Sequence, residues 1–212
     1  MAIGLIASVL LLMPQGGRAQ AADGPLRIVV LGDSLVAGYE IAAKDAFPAK
    51  LEAALKAKGH AVVIANAGVS GDTTSGGLAR LDWALQPGTE GVILELGAND
   101  MLRGLDPKIA RAALDSIITQ LKGRGIEVLL CGMRAAPNLG ADYVGAFDAI
   151  FPELARKYGL ILYPFFLDGV TTQRQFTLPD GLHPSPAGVD VMVAGILPQA
   201  EEFVGRLRAK RK

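Results

Sequence analysis

The sequence holds one cysteine, Cys131, and two histidines, His60 and His183, among its 212 residues. A lone cysteine excludes an intramolecular disulfide and every multi-cysteine zinc site, and so few histidines leave no His-rich metal centre to assemble. Net charge is absent as well, since 21 Lys and Arg residues balance 21 Asp and Glu residues. A domain that grips a nucleic-acid backbone carries a basic excess or stripe, so no nucleic-acid partner is expected. Also missing are internal repeats, low-complexity tracts and any Pro/Gly linker long enough to divide the chain. What is abundant is apolar. The chain is 50 % hydrophobic and 20 % charged, which excludes a disordered polymer. At this length, folding buries roughly 70 % of the extended-chain surface without a staple. The balance describes one globular domain, expected to be monomeric and to work with no cofactor and no metal.

The N-terminus stands apart from that domain. Ala2 to Pro14 is uncharged and apolar, through Ile3-Gly4-Leu5-Ile6 and Leu10-Leu11-Leu12-Met13. The run is too short for a bilayer, which needs about 20 residues. It is followed by a polar stretch ending in Ala19-Gln20-Ala21, the small-x-small cleavage pattern of a secretory signal. The expectation is therefore a signal peptide over residues 1–21 and a single exported domain, periplasmic or secreted, over 22–212. Two features keep alternatives open: the n-region has no Lys or Arg, and a short packed helix or an uncleaved anchor would look similar. No Cys follows the signal, so a lipoprotein is excluded.

Beyond this segment two hydrophobic patterns alternate. Short apolar runs rich in β-branched residues predict strands at Leu26–Leu31, Ala61–Ala65, Val92–Leu96, Ile126–Cys131 and Leu160–Tyr163, each read as buried on both faces. Between them lie helical stripes: Phe47, Leu51, Ala54, Leu55 and Lys58; Ile109, Ala113, Ile117 and Leu121; Tyr143, Phe147, Phe151 and Leu154; Val189, Val193, Ile196 and Leu197. Parallel strands need helical crossovers, so the alternation predicts a three-layer α/β/α domain, flavodoxin-like, with strand order 2-1-3-4-5. Ligands of such sheets sit outside the carboxyl ends of the strands, where the order reverses. That brings together Gly32-Asp33-Ser34-Leu35, Asn66-Ala67-Gly68-Val69-Ser70-Gly71-Asp72 and Gly97-Ala98-Asn99-Asp100.

Ser34, after the first strand, is the candidate nucleophile, although a serine there is often an N-cap. It needs a base. His60 precedes the second strand, at the opposite sheet edge, and reads as a solvated loop residue. His183 lies in Asp180-Gly181-Leu182-His183-Pro184, where Pro184 keeps His183 out of helical geometry. An aspartate three residues before a histidine in a turn can fix its tautomer and leave the other ring nitrogen for a serine proton; a purely structural Asp-His turn is the competing reading. Acyl transfer also needs donors for an oxyanion, and the converging turns offer the Ser34 and Gly71 backbone N–H groups and the Asn99 amide. Asn99 as a loop cap and Gly71 as an ordinary turn residue stay open. Asp33 and Asp100 read as acceptors of local backbone bonds, and Cys131 as a buried small hydrophobe. The basic run Arg206 to Lys212 suits a helix end, with membrane contact at most peripheral.

The four blocks Gly32-Asp33-Ser34-Leu35, Asn66-Ala67-Gly68-Val69-Ser70-Gly71-Asp72-Thr73, Gly97-Ala98-Asn99-Asp100 and Asp180-Gly181-Leu182-His183-Pro184 resemble the GDSL/SGNH hydrolase family over about Leu26 to Phe203. Asn99 to Gly104 and Arg134 to Gly140 look like its bacterial exported arylesterase, thioesterase and lysophospholipase branch. The resemblance implies Ser34 as nucleophile, His183 as base, Asp180 as orienter and an oxyanion hole of Ser34, Gly71 and Asn99. The implied activity is serine ester hydrolysis through an acyl-enzyme, on a small acyl ester, thioester or lysophospholipid. Met101 stands where the branch commonly has Gly. Met101, Leu102, Pro137 and Leu139, on apolar loops at the same sheet edge, are candidates to hold the acyl chain. A carbohydrate O-acetylesterase would share the triad, and a non-catalytic flavodoxin-like module binding a phosphate at the Ser34 turn is the reading from another class.

Overall fold

A computed structural model describes residues 24–211, so the segment expected to be a signal peptide lies outside the described residues. Five parallel strands form one sheet: β1 (Leu26–Gly32), β2 (Val62–Gly68), β3 (Gly91–Glu95), β4 (Glu127–Cys131) and β5 (Ile161–Tyr163), in the order β2-β1-β3-β4-β5. This is the expected order. Burial on both faces holds for β3 throughout and nearly so for β1 and β4. It fails for β2, where Val63 is 48 % exposed. As an edge strand, β2 meets neighbours on one side only, and its apolar composition did not reveal this.

The helices are α1 (Ser34–Ala37), α2 (Phe47–Ala57), α3 (Thr74–Ala79), α4 (Leu81–Ala84), α5 (Ala98–Leu102), α6 (Pro107–Gly123), α7 (Ala141–Asp148), α8 (Ile150–Tyr158) and α9 (Pro186–Arg211). α2 packs with α9, and α6 with α3 and α8, giving a layer on each sheet face. Three stripes need correction. Ile109 is 47 % exposed, and the buried face of α6 is instead Ala110, Ala113, Leu114, Ile117, Ile118 and Leu121. Lys58 is an exposed cap rather than part of the buried face of α2. The stripe Tyr143 to Leu154 is two helices, not one. Pro152 cannot donate a backbone bond to Asp148, and its ring crowds that carbonyl, so α7 stops at Asp148 and α8 starts at Ile150.

The basic tail belongs to the fold. Arg206 donates to the Gly159 carbonyl at 3.1 Å, Lys210 reaches Glu127 at 2.6 Å, and Arg211 pairs with Glu90. These bonds tie the end of α9 to the residues around the amino ends of β3, β4 and β5, away from the edge where the serine lies. Among the described residues no helix is long and apolar enough to cross a membrane.

Candidate active site

β1 ends in Gly32, and an added Cβ there would stand 2.4 Å from Val36 Cγ2 and 2.6 Å from Glu95 Oε2. Only glycine lets the chain turn so closely into α1. The helix is capped by Asp33, whose carboxylate accepts the Leu35 N–H at 3.0 Å. Ser34 therefore sits at the first helical position, not at the cap, and its hydroxyl has no capping duty. Ser34 Oγ instead lies 2.9 Å from His183 Nε2, across 149 residues of sequence.

The histidine is held from behind. His183 Nδ1 is 2.6 Å from Asp180 Oδ2, while Asp180 Oδ1 accepts the backbone N–H groups of Leu182 at 2.9 Å and His183 at 3.0 Å. Those bonds, that from the His183 N–H foremost, hold the Asp180 carboxyl down at about 2. The Tyr39 ring lies against the imidazole, with centroids 4.3 Å apart. A hydroxyl, an imidazole and an ionised carboxylate in this sequence can pass the serine proton to Nε2 and stabilise the resulting imidazolium.

Asn99, on α5, donates from Nδ2 to Asp33 Oδ2 at 3.1 Å, so the Asp33 carboxylate links the serine turn to the Asn99 amide. Behind it lies a group that the sequence reading missed. Glu95, at the end of β3, is fully buried, its Oε2 accepts the Asp33 N–H at 3.3 Å, and its Oε1 has no partner among the described residues. Two carboxyls buried together resist ionisation: burial pushes Asp33 up to about 6 and Glu95 well above the carboxylate range. A lone Glu inside an apolar strand was the available signal. Asp100 is not the local acceptor expected. Its carboxylate takes the Thr74 N–H at 2.8 Å and hydroxyl at 2.7 Å, joining α5 to α3. Cys131 is buried, and burial raises its thiol pKa.

Gly71 adopts φ +85°, a backbone region that side chains avoid, and its carbonyl accepts from Arg103 at 2.7 Å. Ser34, Asn99 and His183 open on a cavity of about 370 Å³, whose lining does not include Gly71. Its walls are mostly apolar: Met101 and Leu102 from α5, Met133 and Pro137 after β4, Phe165 and Leu167 after β5, and Leu182 beside the histidine. Leu139 is not among them. It is partly buried against the core, because the short helical turn Pro137–Leu139 points it inward. Met133, Phe165 and Leu167 were missed, although they follow strands at the same edge as the serine. His60 is also not the solvated residue expected. It is part-buried, with Nε2 3.3 Å from Glu201 on α9. Among the described residues, no group of three or more His, Cys, Asp or Glu side chains is arranged to hold a metal ion.

The sequence matches the GDSL-like Lipase/Acylhydrolase family over residues 30–191. It is 41 % identical over 167 residues to an arylesterase of Vibrio mimicus, covering 78 % of this chain and 84 % of that one. Against the thioesterase 1/protease 1/lysophospholipase L1 of Escherichia coli K12 the identity is 41 % over 169 residues, covering 79 % of this chain and 78 % of that one. The structure of AlinE4, an SGNH-hydrolase family esterase, superposes with a TM-score of 0.72 at 46 % identity, covering 84 % of this chain and 96 % of that one.

Proposed function

Because the chain belongs to the GDSL-like lipase/acylhydrolase family and is a serine ester hydrolase, we propose that it cleaves acyl esters and thioesters through an acyl-enzyme formed on Ser34. The observation that carries this is the relay Ser34 Oγ, His183 Nε2, His183 Nδ1 and Asp180 Oδ2, with separations of 2.9 and 2.6 Å, at the mouth of an apolar cavity. In the first half-reaction His183 takes the hydroxyl proton as Ser34 Oγ attacks the acyl carbon, and then gives it to the departing alcohol or thiol. In the second half-reaction His183 takes a proton from water, which attacks the acyl-serine, and Ser34 is regenerated. The charge that develops on the acyl oxygen is met by the Ser34 and Gly71 N–H groups and the Asn99 amide. Asp33, by accepting from both Leu35 and Asn99, aligns nucleophile and donor in advance.

The cavity favours an acyl chain over an acetyl group. Each buried methylene contributes about 0.8 kcal/mol, so kcat/KM should climb severalfold per two carbons until the cavity is full. Met101, Leu102 and Pro137 remain the proposed contacts, joined by Met133, Phe165 and Leu167. One chain carries the whole relay, so a monomer suffices. The reading extends to export, with residues 1–21 removed and the mature chain starting near Ala22; N-terminal sequencing of the protein from its own host tests that. For the catalytic part, a serine-directed fluorophosphonate should label Ser34 stoichiometrically. Failure to label a folded, active sample would overturn Ser34 as nucleophile.

A further inference from the structure

The cavity contains one side chain that a neutral acyl chain does not use. Arg134, in the loop after β4, lines it and, among the described residues, is the single permanently charged one to do so. Its guanidinium lies over the Phe165 ring, 4.9 Å from the centroid. Among the described residues Arg134 takes part in no ion pair. One acid of the next helix, Asp148, is already engaged by the Ala135 N–H at 2.8 Å. By contrast, Arg103, at the other side of the site, spends its guanidinium on the Gly71 carbonyl.

A guanidinium stacked on an aromatic ring uses its face and keeps its edge donors free, already held in one plane for a carboxylate or phosphate. Arg134 is itself exposed, so water and salt reach these donors and the bond they can offer is correspondingly modest. Arg134 follows β4 and Ser34 follows β1, with β3 between them. Two strand spacings amount to about 10 Å, so a substrate whose carbonyl is at Ser34 can extend along the cavity to Arg134. We propose that Arg134 is a specificity residue that reads an oxyanion on the substrate, making this hydrolase prefer anionic esters to neutral ones of the same length. The inference rests on the cavity being where substrate binds. The oxyanion has two sources of shared chemistry: a carboxylate ending the acyl chain, or a phosphate on the leaving group.

The test is a ratio of kcat/KM values within matched pairs. For the acyl side the pairs are p-nitrophenyl hydrogen adipate against p-nitrophenyl hexanoate, and the hydrogen suberate against the octanoate. For the leaving-group side the pair is octanoyl glycerol phosphate against octanoyl glycerol. In Arg134→Gln the anionic-to-neutral ratio should fall about tenfold in one arm, the size expected for a charge-assisted bond weakened by partial exposure. Arg134→Lys should restore part of it, and in the unaltered protein the same ratio should fall as salt rises. A fall in the acyl arm assigns the oxyanion to the acyl chain, and a fall in the phosphate arm assigns it to the leaving group. Ratios that stay constant in both arms, including the case where all esters slow equally, would overturn the proposal. Failure of Ser34 labelling would sink the nucleophile assignment instead, and would leave these ratios measurable on the hydrolysis that remains.

Discussion

The two histidines of this chain lie at opposite ends of the sheet, and each faces a carboxylate. His183, beyond the carboxyl edge, has Asp180 at 2.6 Å; His60, before the amino end of β2, has Glu201 at 3.3 Å. An acid–histidine pair is thus ordinary protein chemistry and does not mark a site. What separates the two is the second ring nitrogen. At His183 it meets Ser34 Oγ beside an open apolar cavity, whereas at His60 the other nitrogen is buried with no partner among the described residues. One pair backs a serine hydroxyl at a cavity; the other joins a strand entry to α9.

The largest effect expected is at the relay. Ser34→Ala and His183→Ala should each lower kcat by about 10⁴-fold or more, and the double variant should be scarcely worse, because groups acting as one unit are strongly non-additive. Steady-state kinetics on one aryl ester decides it. Multiplicative losses would mean that Ser34 and His183 act separately, and the contrast with His60 would collapse. Next in size is Asn99→Ala, expected to lower kcat by about 10²–10³-fold, or roughly 3–4 kcal/mol. KM should move much less, since the amide is aimed at charge that develops mainly in the transition state. A raised KM at constant kcat would make Asn99 a positioning residue.

Strand order and the relay were legible in the sequence for a shared reason. Both join local signals, namely apolar runs between turns, a serine after a strand and an Asp three residues before a His, through a fold rule that gathers distant turns at the carboxyl edge of a parallel sheet. What was not legible depends on the third dimension. The exposed face of β2 follows from its edge position, and the inward turn of Leu139 from a short helical turn that spacing does not encode. The Arg211–Glu90 and Asp100–Thr74 bonds pair residues far apart in sequence. Met133, Phe165 and Leu167 follow strands at the edge where Ser34 lies, and Glu95 carried its own cue, a carboxylate in an apolar strand. It was passed over because no motif surrounds it.

Glu95 yields the next prediction, in stability. Its folded-state pKa is raised well above the ordinary 4.5 by burial and by the neighbouring Asp33. The folded protein therefore holds this proton to a higher pH than the unfolded chain does, and over that interval unfolding releases it. The sign follows: the stability this group contributes is full below its unfolded value and is lost as pH rises toward the raised value. Glu95→Gln removes that loss. Relative to the unaltered protein, the variant should become more stable as pH rises above the ordinary carboxylate value of 4.5, by about 1.4 kcal/mol for each pH unit over which only the unfolded chain is ionised, read as a Tm difference that grows with pH. A difference that does not change with pH would mean that Glu95 is ionised in the fold.

The smallest effect expected is at His60, and it sharpens the comparison most directly. The His60–Glu201 pair has side chains 22 % and 36 % exposed, and pairs in such settings contribute about 0–1 kcal/mol. His60→Ala also removes the unpartnered Nδ1, a buried polar atom whose loss offsets part of the cost. The expected outcome is destabilisation of no more than about 1 kcal/mol, with ester turnover unchanged, because the residue lies at the far end of the sheet from Ser34. A double-mutant cycle with Glu201→Gln should return a coupling of the same small size, measured by denaturant unfolding. The matching cycle of His183→Ala with Asp180→Asn, measured on kcat, should be large and non-additive. If His60→Ala slowed turnover without lowering stability, the two ends of the sheet would be coupled, and the division between a working histidine and a fastening one would be wrong.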